Sequence, residues 1–164
     1  MCSSDLIEGI YSVKTPYLCI FNADGSFDPK YLSKMLKIAK KKYDFIFASR
    51  YLTKGGSDDD TFLTFIGNKI FTLMGNIFFN LKLSDILFTY ILGKTNKFKN
   101  LNLKSKDFTL CTEIPIKIKI KNYKYISIPS YERSRLGGKK KVNEFIDGLL
   151  ILISLIKFFF NKNV

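Results

Sequence analysis

YLCIFNADGSFDP, residues 17–29, sets an apolar run against a cluster of polar oxygen donors, a glycine and an Asp-Pro step. Residues 17–21 are short, continuous and apolar, bounded by Pro16 before and by the turn-forming cluster at 22–28 after, which predicts a buried strand. A helix should follow. Pro29 suits its first position, and Tyr31, Leu32, Met35, Leu36 and Ile38 supply an apolar stripe before the basic end Lys40, Lys41, Lys42. YDFIFA, residues 43–48, predicts a second buried strand. Strand, helix, strand is the order of a βαβ unit, which favours parallel strands with a right-handed crossover and places the chain in the α/β class.

Downstream, the loop at 49–60 carries Arg50, Gly55, Gly56 and the acid run Asp58, Asp59, Asp60. From Thr61 the residues Phe62, Phe65, Ile66, Ile70, Leu73, Met74, Ile77 and Leu81 recur at helical spacing, while Asn68, Lys69, Thr72, Asn76 and Asn80 interrupt the apolar surface. This predicts an amphipathic helix with a wide apolar face, not a membrane span. Residues 85–92 predict a strand. IPIKIKIK, residues 114–121, alternates at period two like a half-exposed strand, yet Pro115 argues against a central one. Residues 124–129 predict another strand, SYERSRLGGKKK a basic glycine-containing loop, and residues 143–160 a helix with the apolar core GLLILISLIKFFF.

The chain has 164 residues, enough for one domain or a large part of one. Hydrophobic residues make up 46% of it, with 16 Phe, which excludes a disordered chain and points to lipid contact as well as core. A net charge of +13 implies attraction to phosphate, on nucleotides, nucleic acid or anionic lipid. No RNA- or DNA-binding motif accompanies that charge, so nucleic acid is not an expected partner. Histidine is absent, leaving acid-base work to Asp, Glu, Lys or Tyr. Cys2, Cys19 and Cys111 form no C-x-x-C pair, so neither a zinc site nor a disulfide framework is indicated. The first ten residues, MCSSDLIEGI, lack the features of a secretory signal, and a cytoplasmic start is expected.

The order of motifs resembles the family 2 glycosyltransferases, in particular the polyprenyl-phosphate sugar synthases related to dolichyl-phosphate mannosyltransferase. The resemblance is carried by NADG at 22–25, the following SFDP, ASRY at 48–51, the helix near Gly67 and Asn68, Asp85 followed by FTY, Thr112-Glu113, and ERSRLGGKKK before a DGL helix. It implies a GT-A type fold, a Rossmann-like mixed sheet with helices. It also implies a first strand and a donor-nucleotide pocket that would lie before Met1. Residues 1–142 would then be a partial catalytic domain and residues 143–164 a membrane-interface helix.

What the resemblance implies chemically attaches to few residues. NADG is similar to the family's D-x-D metal motif, with Asn22 in place of the first acid. Residues i and i+2 of an extended strand share a side, so Asn22 and Asp24 could offer oxygens together to Mg²⁺ or Mn²⁺, the remaining ligands coming from the diphosphate of a nucleotide sugar. The same residues would equally suit a simple Asx turn. Arg50, Arg133, Arg135 and Lys141 are the implied phosphate-binding groups of donor and acceptor, guanidinium forks being matched to phosphate oxygens. Asp85 and Asp24 are the candidate catalytic carboxylates, with a cap or turn the alternative for Asp85. The expected activity is hexose transfer to a polyprenyl phosphate or a glycan at the cytoplasmic membrane face. There, Lys139, Lys140 and the terminal helix would rest on anionic lipid. The alternative is a catalytically inactive membrane-binding fragment.

Overall fold

The computed structural model of the chain describes residues 3–137 and 144–161. In chain order its elements are α1 (Ser3–Ser12), β1 (Tyr17–Ile20), α2 (Lys30–Lys41), β2 (Phe45–Ser49), β3 (Gly56–Ser57) and α3 (Phe62–Phe79). These are followed by β4 (Ile91–Lys94), α4 (Thr95–Lys99), α5 (Leu110–Ile120), β5 (Tyr125–Pro129), β6 (Tyr131–Glu132) and α6 (Glu144–Phe160). A four-stranded sheet has the order β1-β4-β2-β5, and β3 pairs with β6 in a small second sheet.

The strand-helix-strand expectation is met in direction and corrected in adjacency. β1 and β2 each run antiparallel to β4, so they are parallel to one another, but β4 lies between them; the one parallel pairing in this sheet joins β2 to β5. β2 is buried along its whole length because it is central and covered on both faces. Its side chains divide by parity. Phe45 and Phe47 join a cluster with Ile10, Leu18, Ile20, Ile91, Ile114, Ile151 and Leu155, whereas Ile46 and Ala48 join Met35 and Ala39 of α2 with Leu92, Tyr90 and Ile128. α2 therefore covers one face of the sheet and α1, α5 and α6 the other. Gly93 of β4 lets the layers close up, since a Cβ there would stand 2.5 Å from the Phe45 ring.

Local chemistry explains where elements begin. Asp28 Oδ1 accepts the Lys30 amide at 3.0 Å, capping α2, and Lys40 and Lys41 sit at the negative end of its dipole. Thr61 and Thr64 form a reciprocal capping box at the start of α3, and Asn80 closes that helix in the left-handed conformation at φ 51°.

Two expectations fail for identifiable reasons. Residues 85–90 are not strand; the strand starts only at Ile91. Side chains of α3 satisfy the backbone upstream of it instead. Asn76 accepts from the Leu83 amide and donates to the Leu83 carbonyl, and Thr72 Oγ1 accepts the Ile86 amide at 3.1 Å. The IPIKIKIK segment is helix, not strand. α5 is enclosed on nearly every side, so a 3.6-residue polar stripe has no solvent face to mark. Its buried Lys117 is neutralised by Glu113 one turn earlier, at 2.7 Å.

α3 and α6 pack side by side over α5 and leave an apolar surface outward. On α3 Phe62, Leu63, Ile70, Leu73 and Ile77 are exposed, and on α6 Phe145, Ile146, Leu149 and Phe160. By length and composition alone α3 is apolar enough to cross a membrane, unlike any other helix among the described residues.

Candidate active site

Arg50 follows β2 directly and is buried, and four segments of the chain meet on its guanidinium. Asp85 takes Nε at 2.8 Å and Nη2 at 3.0 Å, and also accepts the Arg50 amide at 3.3 Å. Nη1 reaches Asp60 Oδ1 and Glu132 Oε2, both at 3.2 Å. The ring of Phe88 lies beneath the guanidinium carbon at 4.7 Å. Burial works against the charge, but Asp85 and Glu132 overcome it and hold Arg50 firmly protonated. The network extends outward. Tyr51 Oη donates to Asp60 Oδ2 and receives the Asn68 amide, while Ser57 Oγ donates to Glu132 Oε2 at 2.7 Å. Burial raises the Glu132 carboxyl above its ordinary value, against the pull of Arg50 and Ser57.

Asn22 and Asp24 lie beyond the end of β1, which stops at Ile20, so strand alternation does not govern their side chains. They belong to a turn. Asp24 Oδ1 accepts both the amide (3.0 Å) and the hydroxyl (2.6 Å) of Ser26, an Asx turn, and Gly25 takes φ 84°, a conformation suited to glycine. Burial opposes its ionisation, yet the two Ser26 bonds and the charge of Arg135 outweigh that and hold the Asp24 carboxyl below its ordinary value.

Residues 131–137 fold back over this turn. β6 pairs with β3, Arg133 N donates to the Ser26 carbonyl at 2.9 Å, and Leu136 N donates to the Asp24 carbonyl at 2.8 Å. Arg135 points both Nε and Nη2 at Asp59 Oδ2, 3.2 and 3.1 Å away, and its Nε stands 3.8 Å from Asp24 Oδ2.

A cleft of about 360 Å³ opens beside these groups. Asn22, Arg50, Asp59, Asp60, Glu132 and Arg135 line it on one side, and Leu63, Ile66, Phe71, Leu87, Phe145 and Ile151, together with Glu144 and Asp147 of α6, line it on the other. Of the residues singled out from the sequence, Asn22, Arg50 and Arg135 line the cleft, and Asp24 is joined to it through Arg135. Asp85 lies fully buried behind Arg50, and Arg133 donates to the Phe27 carbonyl at 3.3 Å. Lys141 lies outside the described residues, as do Lys139 and Lys140. Asp59, Asp60 and Glu132 were not singled out. The acid run at 58–60 in so basic a chain was the available signal for the first two, and Glu132 opens the ERSRLGGKKK motif.

Residues 2–101, more than half of the chain, match the model of a family described as Glycosyl transferase family 2. The chain belongs to this family. A comparison with curated proteins returned no match. The mixed α/β architecture, its main sheet largely antiparallel, agrees with the GT-A-like fold of family 2, and membership carries glycosyl transfer between a nucleotide-sugar donor and an acceptor.

Family 2 enzymes often use a divalent cation. Among the described residues no group of three or more His, Cys, Asp or Glu side chains converges as a ready cage. Of the expected donors, Asp24 has Oδ2 left beside the Ser26 bonds to Oδ1, and Asn22 lines the cleft. That set fits a hard cation that arrives with substrate phosphates and completes its shell from them and from water, as Mg²⁺ does. Among the described residues, the ion pairs of Asp24, Asp59, Asp60, Asp85 and Glu132 are made with Arg50 and Arg135.

Proposed function

We propose that this family 2 chain transfers a hexose from a nucleotide-diphosphate sugar to a polyprenyl phosphate, working at the cytoplasmic face of a membrane. The observation that carries this reading is the cleft that brings Arg50 and Arg135 beside apolar side chains of α3 and α6, with Glu144 and Asp147 of α6 at the same wall. A lipid phosphate has that division of character. It also needs no general base, being largely ionised at neutral pH, which suits a chain with no histidine.

In this scheme Arg50 and Arg135 take phosphate oxygens, with Arg133 and Lys141 contributing from the same basic loop. Asp85 is a positioning residue that fixes the plane of the Arg50 guanidinium. Asn22 and Asp24 would hold Mg²⁺ or Mn²⁺, which would supply charge stabilisation to the departing nucleoside diphosphate. The apolar sides of α3 and α6 would rest in the membrane interface, with residues 1–142 as the catalytic part and 143–164 as the anchoring helix. Net charge and apolar face together support an anionic surface as the partner.

The test is transfer of radiolabelled sugar into an organic-extractable lipid by the gene product, compared with Arg50→Ala and Asp24→Ala. Label in the lipid that is lost in both variants supports the proposal. Label that appears only in water-soluble glycan would favour the glycan acceptor, for which Glu132, with its raised carboxyl at the cleft, is the group placed to take a proton. No transfer alongside intact vesicle binding would favour an inactive membrane-binding fragment.

A further inference from the structure

The strap at residues 131–137 is anchored at one end and lightly held at the other. Its first two residues are strand β6, locked to β3, and Glu132 is tied into the Arg50 network. Beyond them the contacts with the turn at 22–27 are mainly polar, with the Leu136 side chain lying over Gly25. Arg133 donates to the Ser26 and Phe27 carbonyls, Leu136 donates to the Asp24 carbonyl, and Arg135 faces two carboxylates. Leu136 itself is 88% exposed, so little hydrocarbon burial holds this end down.

The arrangement around Asp24 is selective. Its Oδ1 is already occupied by the amide and hydroxyl of Ser26, so Oδ2 is the oxygen left for a cation. Oδ2 is the oxygen that Arg135 Nε faces at 3.8 Å, the same Nε lying 3.2 Å from Asp59 Oδ2. A divalent cation at the ligand distance of about 2.1 Å typical of Mg²⁺ would sit next to that guanidinium, two like charges against one shared oxygen. Their repulsion weakens the hold of Arg135 on Asp24.

We infer that Arg135 is an internal cation that latches the strap onto Asp24 and Asp59, and that a divalent cation binding at Asp24 displaces it and releases residues 133–137. This rests on the proposed role of Asp24 as a cation ligand. Asp59 is then a tether with two hydrogen bonds from Arg135. The displaced guanidinium keeps its planar fork and becomes available to the phosphate that the cation accompanies. The exchange couples cation entry to exposure of the strap.

The experiment titrates Mn²⁺ alone into the full chain, following free aqueous Mn²⁺ by electron paramagnetic resonance and tryptic cleavage within the strap by mass spectrometry. Arg135→Gln should bind Mn²⁺ about two- to fivefold more tightly than wild type, the range a partly exposed ion pair supports. In the wild type Mn²⁺ should speed cleavage after Arg133. Asp59→Asn should be cleaved faster even without Mn²⁺ and should still bind it. Asp24→Asn should lose Mn²⁺ binding and the Mn²⁺ effect on cleavage together. Unchanged or weaker Mn²⁺ affinity in Arg135→Gln, or Mn²⁺ protecting the strap, would overturn the latch while leaving Asp24 as a cation ligand. Loss of Mn²⁺ binding in Asp59→Asn would overturn it too, making Asp59 a ligand and not a tether. No Asp24-dependent Mn²⁺ binding in any variant would overturn the latch and the cation role alike.

Discussion

Replacing Asp85 by Ala separates a structural duty from a chemical one. Its carboxylate accepts three bonds from Arg50, at 2.8, 3.0 and 3.3 Å, and its side chain is fully buried. Removing one partner of a buried pair typically costs about 3–5 kcal/mol, mostly because the other charge is stranded. Arg50 keeps Asp60 and Glu132, so the lower end applies, about 3 kcal/mol for Ala. Asn retains an acceptor oxygen and should cost about 1–2 kcal/mol, in line with the loss of a charged hydrogen bond. With a urea slope of about 2 kcal/mol per molar, the unfolding midpoint should fall by about 1.5 M in the Ala variant. The chain has no tryptophan, so far-UV circular dichroism is the probe. Adding Arg50→Met should not recover the loss, because Asp60 and Glu132 would then be left without their cation. A midpoint within about 0.25 M of wild type, the span of an ordinary surface substitution, would refute the assignment of Asp85 to holding Arg50.

Asp44 is held by Lys94 Nζ at 2.9 Å, Lys97 Nζ at 2.8 Å and the Lys124 amide at 3.0 Å, and its carboxyl is pulled down to about 2 although burial opposes this. A depressed carboxyl contributes stability above its unfolded value near 3.8 that disappears as pH falls towards 2; thermal unfolding across that window should show the loss, and Asp44→Asn should flatten it. Gly93→Ala would drive a methyl to 2.5 Å from the Phe45 ring and should destabilise by about 1–3 kcal/mol in urea, whereas an unchanged midpoint would mean the layers are loosely packed there. Phe145→Asp with Leu149→Asp should cut cosedimentation with anionic vesicles while leaving circular dichroism unaltered; equal binding would remove α6 from the membrane surface.

The sequence was most legible where an element meets water or a turn at both ends. β1, α2 and β2 have Pro16, the 22–28 cluster and the lysines at 40–42 as boundaries, and each falls within a residue or two of its predicted span. α5 was opaque because enclosure erases helical periodicity, leaving an accidental alternation of Ile and Lys in view. β3 and β6 carry two residues each, too few for any pattern. In the site, Arg50 and Arg135 could be picked out by residue type. The pairing of Arg50 with Asp85 and Glu132, 35 and 82 positions away, could not, because only the fold creates it. Asn22 and Asp24 misled in geometry because β1 ends at Ile20, four residues short of Asp24.

The Arg50 crossing also bears on how the molecule matures. Its counter-ions come from segments 10, 35 and 82 residues distant, so the full set is assembled only when Glu132 joins Asp60 and Asp85. Until then a strong cation sits at the end of the central strand with its complement unfinished, which penalises premature closure of that region. The crevice is thereby a checkpoint on assembly, completed only when distant parts of the polypeptide have all arrived.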